Sequence, residues 1–147
     1  MSSEQNLINT WLSFTRVHAE LSNELDRMLQ ARHQTTLNEF YVLLFLSKTP
    51  EKKLRLLELQ QLVGLSQSAM SRLSVRMENK SCGVIQRLGY EDDRRGVCAI
   101  ITDRGEVRLQ EILDTVNETL EKSLKNSDID TALKLFVDAK SGLQENE

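Results

Sequence analysis

Proline is nearly missing from this chain: Pro50 is the only one in 147 residues, and glycine occurs six times. So little punctuation argues against a turn-rich all-β chain and for a mostly helical fold. No apolar run reaches 18 residues, which excludes a helix spanning a membrane. The opening MSSEQNLINTW has no basic region followed by an apolar block, so no signal peptide is expected and the expected location is cytoplasmic. Cysteine occurs twice, and Cys82 and Cys98 form no CxxC and no metal-like cluster with His18 or His33. Two reduced thiols are expected, and Cys82 is the candidate if either one senses oxidants. Nucleophile elbow, phosphate loop and metal spacing are all missing, so neither a metal nor a cofactor is expected. Asp92 and Asp93 are adjacent on a charged turn and do not converge on a bond as paired catalytic carboxylates must, so an enzyme is not expected.

The length fits one domain with a real core. Charge is distributed unevenly. Residues 1–47 carry three Lys or Arg and five Asp or Glu, residues 48–102 carry ten and six, and residues 103–147 carry six and eleven. The net charge of −3 therefore hides a basic middle between acidic ends. For a polyanionic partner the local surface matters more than the total.

Leu7, Trp11, Phe14, His18, Leu21, Leu25 and Met28 recur at alternating steps of four and three, which predicts one long helix over about 5–32 with a heptad-like seam. In TTLNEFYVLLFLSK, Thr36 and Glu39 have capping-box spacing, and the apolar residues from Leu37 to Leu46 predict a helix buried nearly all round. Pro50 ends it. KKLRL reads as a connector with a short strand.

LLELQQLVGLSQSAMSRLSVRMENKS predicts two short helices about a turn. Gly64 suits the left-handed end of the first, and Ser66 caps the second. A tight glycine turn between short helices fits helix-turn-helix. Ala69, Met70, Leu73 and Met77 share the inner face of the second helix. Gln67, Ser68, Ser71, Arg72 and Val75 lie opposite, with Arg76 on the flank. Short hydroxyls, an amide and arginines suit base edges and phosphates of a major groove. CGVIQRLGY and GVCAII, joined by EDDRR, predict a hairpin. Arg94 and Arg95 at its turn suit the enhanced negative potential of a narrow minor groove, and Asp93 is placed to brace one of them or an arginine on the recognition helix. A helix starts after Thr102-Asp103 and runs to about Lys125, and a last helix covers about Asp130–Leu143.

LVGLSQSAMSRLSVRMENK followed by EDDRRGVCAIITDRG resembles the MarR family of bacterial transcription regulators, over roughly residues 10–125. The specific part is Asp93, Arg95, Ile101-Thr102 and Gly105, matching the family's Asp-any-Arg, strand, Leu-Thr and following Gly. The resemblance implies a mainly α fold with a small β wing: a single domain of 1–147, with a winged helix-turn-helix at 36–103 flanked by dimerisation helices at 1–35 and 104–147. It implies a homodimer on pseudo-palindromic double-stranded DNA, usually a repressor. Ser66 to Arg76 would lie in the major groove, Arg95 in the minor groove, and Asp93 beside Arg95. It also implies a possible small aromatic or anionic effector, for which Trp11, Phe14, His18, His33 and Tyr41 are the candidate lining. Trp11 and Phe14 fit a core or dimer seam as well. This sequence departs from the family in two places. Lys80 to Arg87 is two residues longer than the family's Lys-Gly-Leu-Ile-x-Arg, and the N-terminal cysteine of the peroxide-sensing branch is missing. The competing expectation is a winged-helix module that binds protein rather than DNA, offering the outward Val75.

Overall fold

The computed structural model describes residues 2–79, 83–89, 96–124 and 129–145. Along them run α1 (Ser3–His33), α2 (Leu37–Lys48), β1 (Lys53–Arg55), α3 (Leu56–Val63), α4 (Gln67–Asn79), β2 (Ile85–Gly89), β3 (Val97–Ile101), α5 (Asp103–Leu124) and α6 (Ile129–Glu145). The strands form one antiparallel sheet in the order β1-β3-β2. The fold is thus mainly α with a small β wing, a winged helix-turn-helix flanked by long helices. Among the described residues, no helix is long and apolar enough to cross a membrane.

Two compact units divide the chain: Met1–Leu25 with Val116–Glu147, and Asp26–Thr115. The second unit extends beyond the expected 36–103 at both ends, so the last turns of α1 and the first half of α5 cluster with the winged helix-turn-helix.

Residues 26–115 hold most of the buried core. Helix α2 starts as its sequence dictates. Thr36 Oγ1 accepts the Glu39 N–H at 3.1 Å, and Glu39 Oε2 accepts the Thr36 N–H at 3.1 Å. Asp26 adds a third cap from α1, accepting the Leu37 N–H at 2.8 Å. Three of the donors that a helix start leaves orphaned are thereby satisfied, which lets Glu39 be buried. Leu37, Phe40, Val42, Leu43 and Leu46 are buried, but Tyr41, Leu44 and Phe45 are only half-buried. The helix, which packs against α3, β1 and β3, is therefore not buried all round. Leu29 of α1 is fully buried, although it falls outside the four-three seam. Leu25 and Leu29, four apart, share one face of the last turns of α1.

Gly64 takes φ 82° and ends α3, its N–H bonding to the Gln60 carbonyl at 2.9 Å. Ser66 Oγ caps α4 through the Ala69 N–H at 3.2 Å. The inner face of α4 is Met70, Leu73, Ser74 and Met77. Ser74 replaces the expected Ala69, which is half-buried. Its hydroxyl donates to the Ser71 carbonyl at 2.8 Å, so burial leaves it satisfied. On α5, Leu109, Ile112 and Val116 are buried, while Val107, part of the same apolar run, is exposed.

Thr102 joins the sheet to α5. Its hydroxyl donates to the Gly83 carbonyl at 2.6 Å and accepts the Gly105 N–H at 3.1 Å, and its own N–H donates to the Val84 carbonyl at 3.1 Å. Gly105 is where α5 passes closest to this strand entry. A Cβ there would overlap the Val84 carbonyl oxygen and come within 2.6 Å of Ile101 Cγ1. Gly105→Ala should therefore destabilise the fold by about 1–3 kcal/mol through overpacking against backbone. Gly64→Ala has open space but a left-handed φ and should cost about 1–2 kcal/mol. Urea unfolding monitored by circular dichroism checks both values.

Candidate nucleic-acid interface

Helix α4 presents Gln67, Ser68, Ser71, Arg72 and Arg76 to solvent. Val75, expected outward, is half-buried. Its position borders the inner stripe, so the outward face is more polar than the sequence suggests. Ser66 is exposed too, with its oxygen committed to the cap and 3.4 Å from Ser68 Oγ. Among the described residues, neither Arg72 nor Arg76 takes part in an ion pair. Both border a shallow cleft of about 320 Å³ whose other walls include Asp26, Thr36, Asn38 and Leu65. Guanidiniums beside short hydroxyls can donate to phosphate or base acceptors.

The hairpin of β2 and β3 is tied to this helix by Glu78. One carboxylate oxygen accepts the Arg87 N–H at 2.5 Å, and the other lies 3.4 Å from Arg87 Nε. Sequence reasoning passed over both residues. The signal that could have found them is electrostatic: a carboxylate in the last turn of a helix faces the negative end of the macrodipole and calls for a compensating partner. Glu106 does comparable work at the start of α5, accepting from Ser47 Oγ at 2.8 Å and lying 3.7 Å from Lys52 Nζ.

Asp93, Arg94 and Arg95, expected at the wing turn, lie outside the described residues, as do Cys82 and the 126–128 break. Cys98 is a buried thiol. The five candidate effector residues fall into two groups. Trp11, Phe14 and His18 lie in the unit built from the two chain ends, and His33 and Tyr41 lie in the other. In the first group, Phe14 sits 6.1 Å from Trp11, 6.4 Å from His18 and 5.9 Å from Phe136 between ring centroids, forming an aromatic ladder from α1 to α6. In the second, His33 Nε2 is 2.7 Å from Thr115 Oγ1, and Tyr41 lies between Phe40 and Phe45.

No family model matches the chain, and no curated protein matches it. Solved structures do. A MarR family transcriptional regulator from Streptomyces coelicolor, in complex with DNA, superposes with a TM-score of 0.80 at 23% identity, over 99% of this chain and 89% of that one. The transcriptional regulator BldR from Sulfolobus solfataricus gives 0.80 at 19% identity, over 96% and 99%. A mutant MarR from E. coli, complexed with operator DNA, gives 0.74 at 21% identity, over 97% and 99%. The chain has the fold of these regulators along nearly its whole length.

Burial raises the Tyr41 hydroxyl above the ordinary value of 10.0, because the phenolate is desolvated among the α2 aromatics. A raised pKa means that the folded state keeps a proton the unfolded state has lost. Stability from this group is therefore complete below pH 10.0 and falls as pH rises through the folded value. Absorbance titration of the two tyrosines should show one ionising late, and Tyr41→Phe should abolish that phase and lessen the alkaline loss of stability. A Tyr41→Phe titration unchanged from wild type would refute this assignment.

Proposed function

We propose that the chain is a sequence-specific, double-stranded-DNA-binding transcriptional regulator that acts as a homodimer on a two-fold site. The observation that carries this reading is the outward face of α4, where Gln67, Ser68, Ser71, Arg72 and Arg76 stand exposed on a helix fastened to a hairpin. Arg72 suits guanine edges and Gln67 suits adenine edges, while Ser68, Ser71 and Arg76 suit either bases or phosphates. Arg94 and Arg95, carried by the residues between β2 and β3, would enter the flanking minor groove with Asp93 as companion. Two of the similar structures hold DNA, which supports the same use of this fold here. The protein-binding alternative loses its apolar foothold on α4, because Val75 is half-buried.

The homodimer is supported by bare apolar surface. Leu7, Ile8, Trp11, Leu12, Phe14 and Val17 of α1, and Leu135, Phe136 and Val137 of α6, are all exposed, Trp11 at 63% and Leu7 at 72%. Stable interfaces cover roughly 800 Å² per partner, and nine large apolar side chains supply area of that order. A second copy matches the stripe in chemistry and length, since a heptad seam is complementary to itself. Charge separates along the same lines. Residues 26–115 carry fourteen Lys or Arg and twelve Asp or Glu, whereas residues 1–25 and 116–147 together carry five and ten. The acidic unit thus suits the part that does not touch DNA.

Repression follows if the bound dimer blocks transcription from its site. Release by a small aromatic or anionic molecule engaging Trp11, Phe14, His18, His33 or Tyr41 completes the reading. Adding candidate aromatic acids to the retarded DNA complex tests it, and a complex that none of them weakens removes the effector.

Salt provides a two-sided check. Raising it from about 50 to 200 mM should weaken DNA binding by orders of magnitude, through counterion competition. The same change should leave the dimer intact or tighten it, because it screens repulsion between two net-acidic units. Sedimentation and gel shift measure the two effects, and a monomer at micromolar concentration removes the dimer. Arg72→Ala should cost about 1–3 kcal/mol of binding and relax specificity at one base pair. Equal affinity of that variant for the selected site would take α4 out of the contact.

A further inference from the structure

The segment from Lys80 to Arg87 is two residues longer than the spacing of the family this chain resembles. Two sets of contacts hold the entry of β2 against α5: the Thr102 bonds to Gly83 and Val84, and the close approach of Gly105 to Val84. Neither reaches the recognition helix. Among the described residues, Glu78 supplies the polar link from α4 to the hairpin. Its geometry suits a clamp. β2 is an edge strand, and its ladder to β3 leaves alternate backbone groups facing away from the sheet. The Arg87 N–H is one of these, and Glu78 takes it at 2.5 Å while its other oxygen meets the same residue's guanidinium. Backbone and side chain of one residue are thus held by one carboxylate. The ion-pair half is about 30% exposed on both sides and is partly screened. The bond to the backbone N–H is charge-assisted and fixes the strand itself.

We propose that Glu78 is a positioning residue for DNA binding: it sets the angle at which the hairpin leaves the recognition helix, so that Arg94 and Arg95 meet the minor groove while α4 sits in the major groove. This rests on the DNA-binding reading above. A swing at Arg87 grows along the strand beyond it, so a slack clamp displaces the arginines more than it displaces the strand base. The carboxylate touches no DNA, and its effect passes through Arg87.

A double-mutant cycle tests the proposal with the full chain and a duplex genomic fragment retained by the wild type. Arg95→Ala in the wild type should weaken binding on the order of tenfold. In a Glu78→Ala background the same substitution should have little further effect, because the wing is already out of register. Hydroxyl-radical protection of the flanking minor groove should fade in Glu78→Ala, while protection of major-groove guanines persists. A purely structural loss would reduce both together. Comparing Arg95→Ala within one background cancels any general loss of folded protein. If Glu78→Ala does not fold, Glu78→Asp serves the same cycle, since it keeps the charge but falls a methylene short of the Arg87 N–H. Glu78→Gln keeps an acceptor at full reach and should restore the Arg95 dependence. An equal Arg95→Ala effect in both backgrounds overturns the clamp and leaves DNA binding standing. A silent Arg95→Ala in the wild type overturns the wing contact, and the clamp's role with it.

Discussion

The Thr102 hydroxyl stands between two parts of the chain, the entry of β2 and the start of α5. It gives its proton to the Gly83 carbonyl and receives the Gly105 N–H, so one oxygen both caps α5 and anchors the entry of β2. That arrangement requires α5 and residues 83–84 to be nearly in contact, and only a residue without a side chain fits at position 105. Because α5 starts there, the sheet inherits its position from the helix. β2 and β3 then pair along five registered residues, and β1 adds to the far side of β3. The close approach at Gly105 therefore decides where the hairpin stands before any contact with α4 is counted.

Helix starts elsewhere in the winged helix-turn-helix are held in a related way, by side chains from a neighbouring element as well as their own. Asp26 on α1 caps the first donor of α2, and Glu106 on α5 holds Ser47 on α2 and Lys52 before β1. Such bonds to helix starts and carbonyls are directional, whereas apolar burial is not. The Leu, Met and Val core supplies most of the driving force, and the polar bonds select one arrangement of it. The outward face of α4 is left out of this network. Arg72 and Arg76 lie in no ion pair among the described residues, although acidic residues are plentiful in the chain.

Much of this was legible in the sequence because it is local. The Thr36–Glu39 capping box, the left-handed Gly64 and the Ser66 cap depend on neighbours within four residues, and the structure has each of them. Where the reading missed, the deciding partner lay far away in sequence. Leu29 is buried by packing that a heptad template does not describe. Val107 sits on the right helical phase but faces outward, and Tyr41, Leu44 and Phe45 are apolar or aromatic yet only half-covered. Glu78 and Arg87 are nine residues apart across a change from helix to strand, so no periodicity links them. The outward α4 residues were visible as a face. The fastening that gives that face a fixed relation to the hairpin was not.

Residues 3–20 of α1 contain no buried side chain, and only Thr15 is partly covered. Isolated helices are marginal in water, since nucleation is costly and most helical stability in proteins comes from a packed face. A stripe of Leu7, Trp11 and Phe14 at helical spacing, stacked toward Phe136, is therefore a surface that a covering partner would stabilise. Residues 26–115, by contrast, hold most of the buried side chains. The chain thus combines a unit rich in buried core with one rich in exposed apolar area. If a second copy covers that area, assembly and presentation of two α4 faces become a single event. The acidic charge then gathers on the assembling parts, and the basic charge stays on the parts left to meet a polyanion.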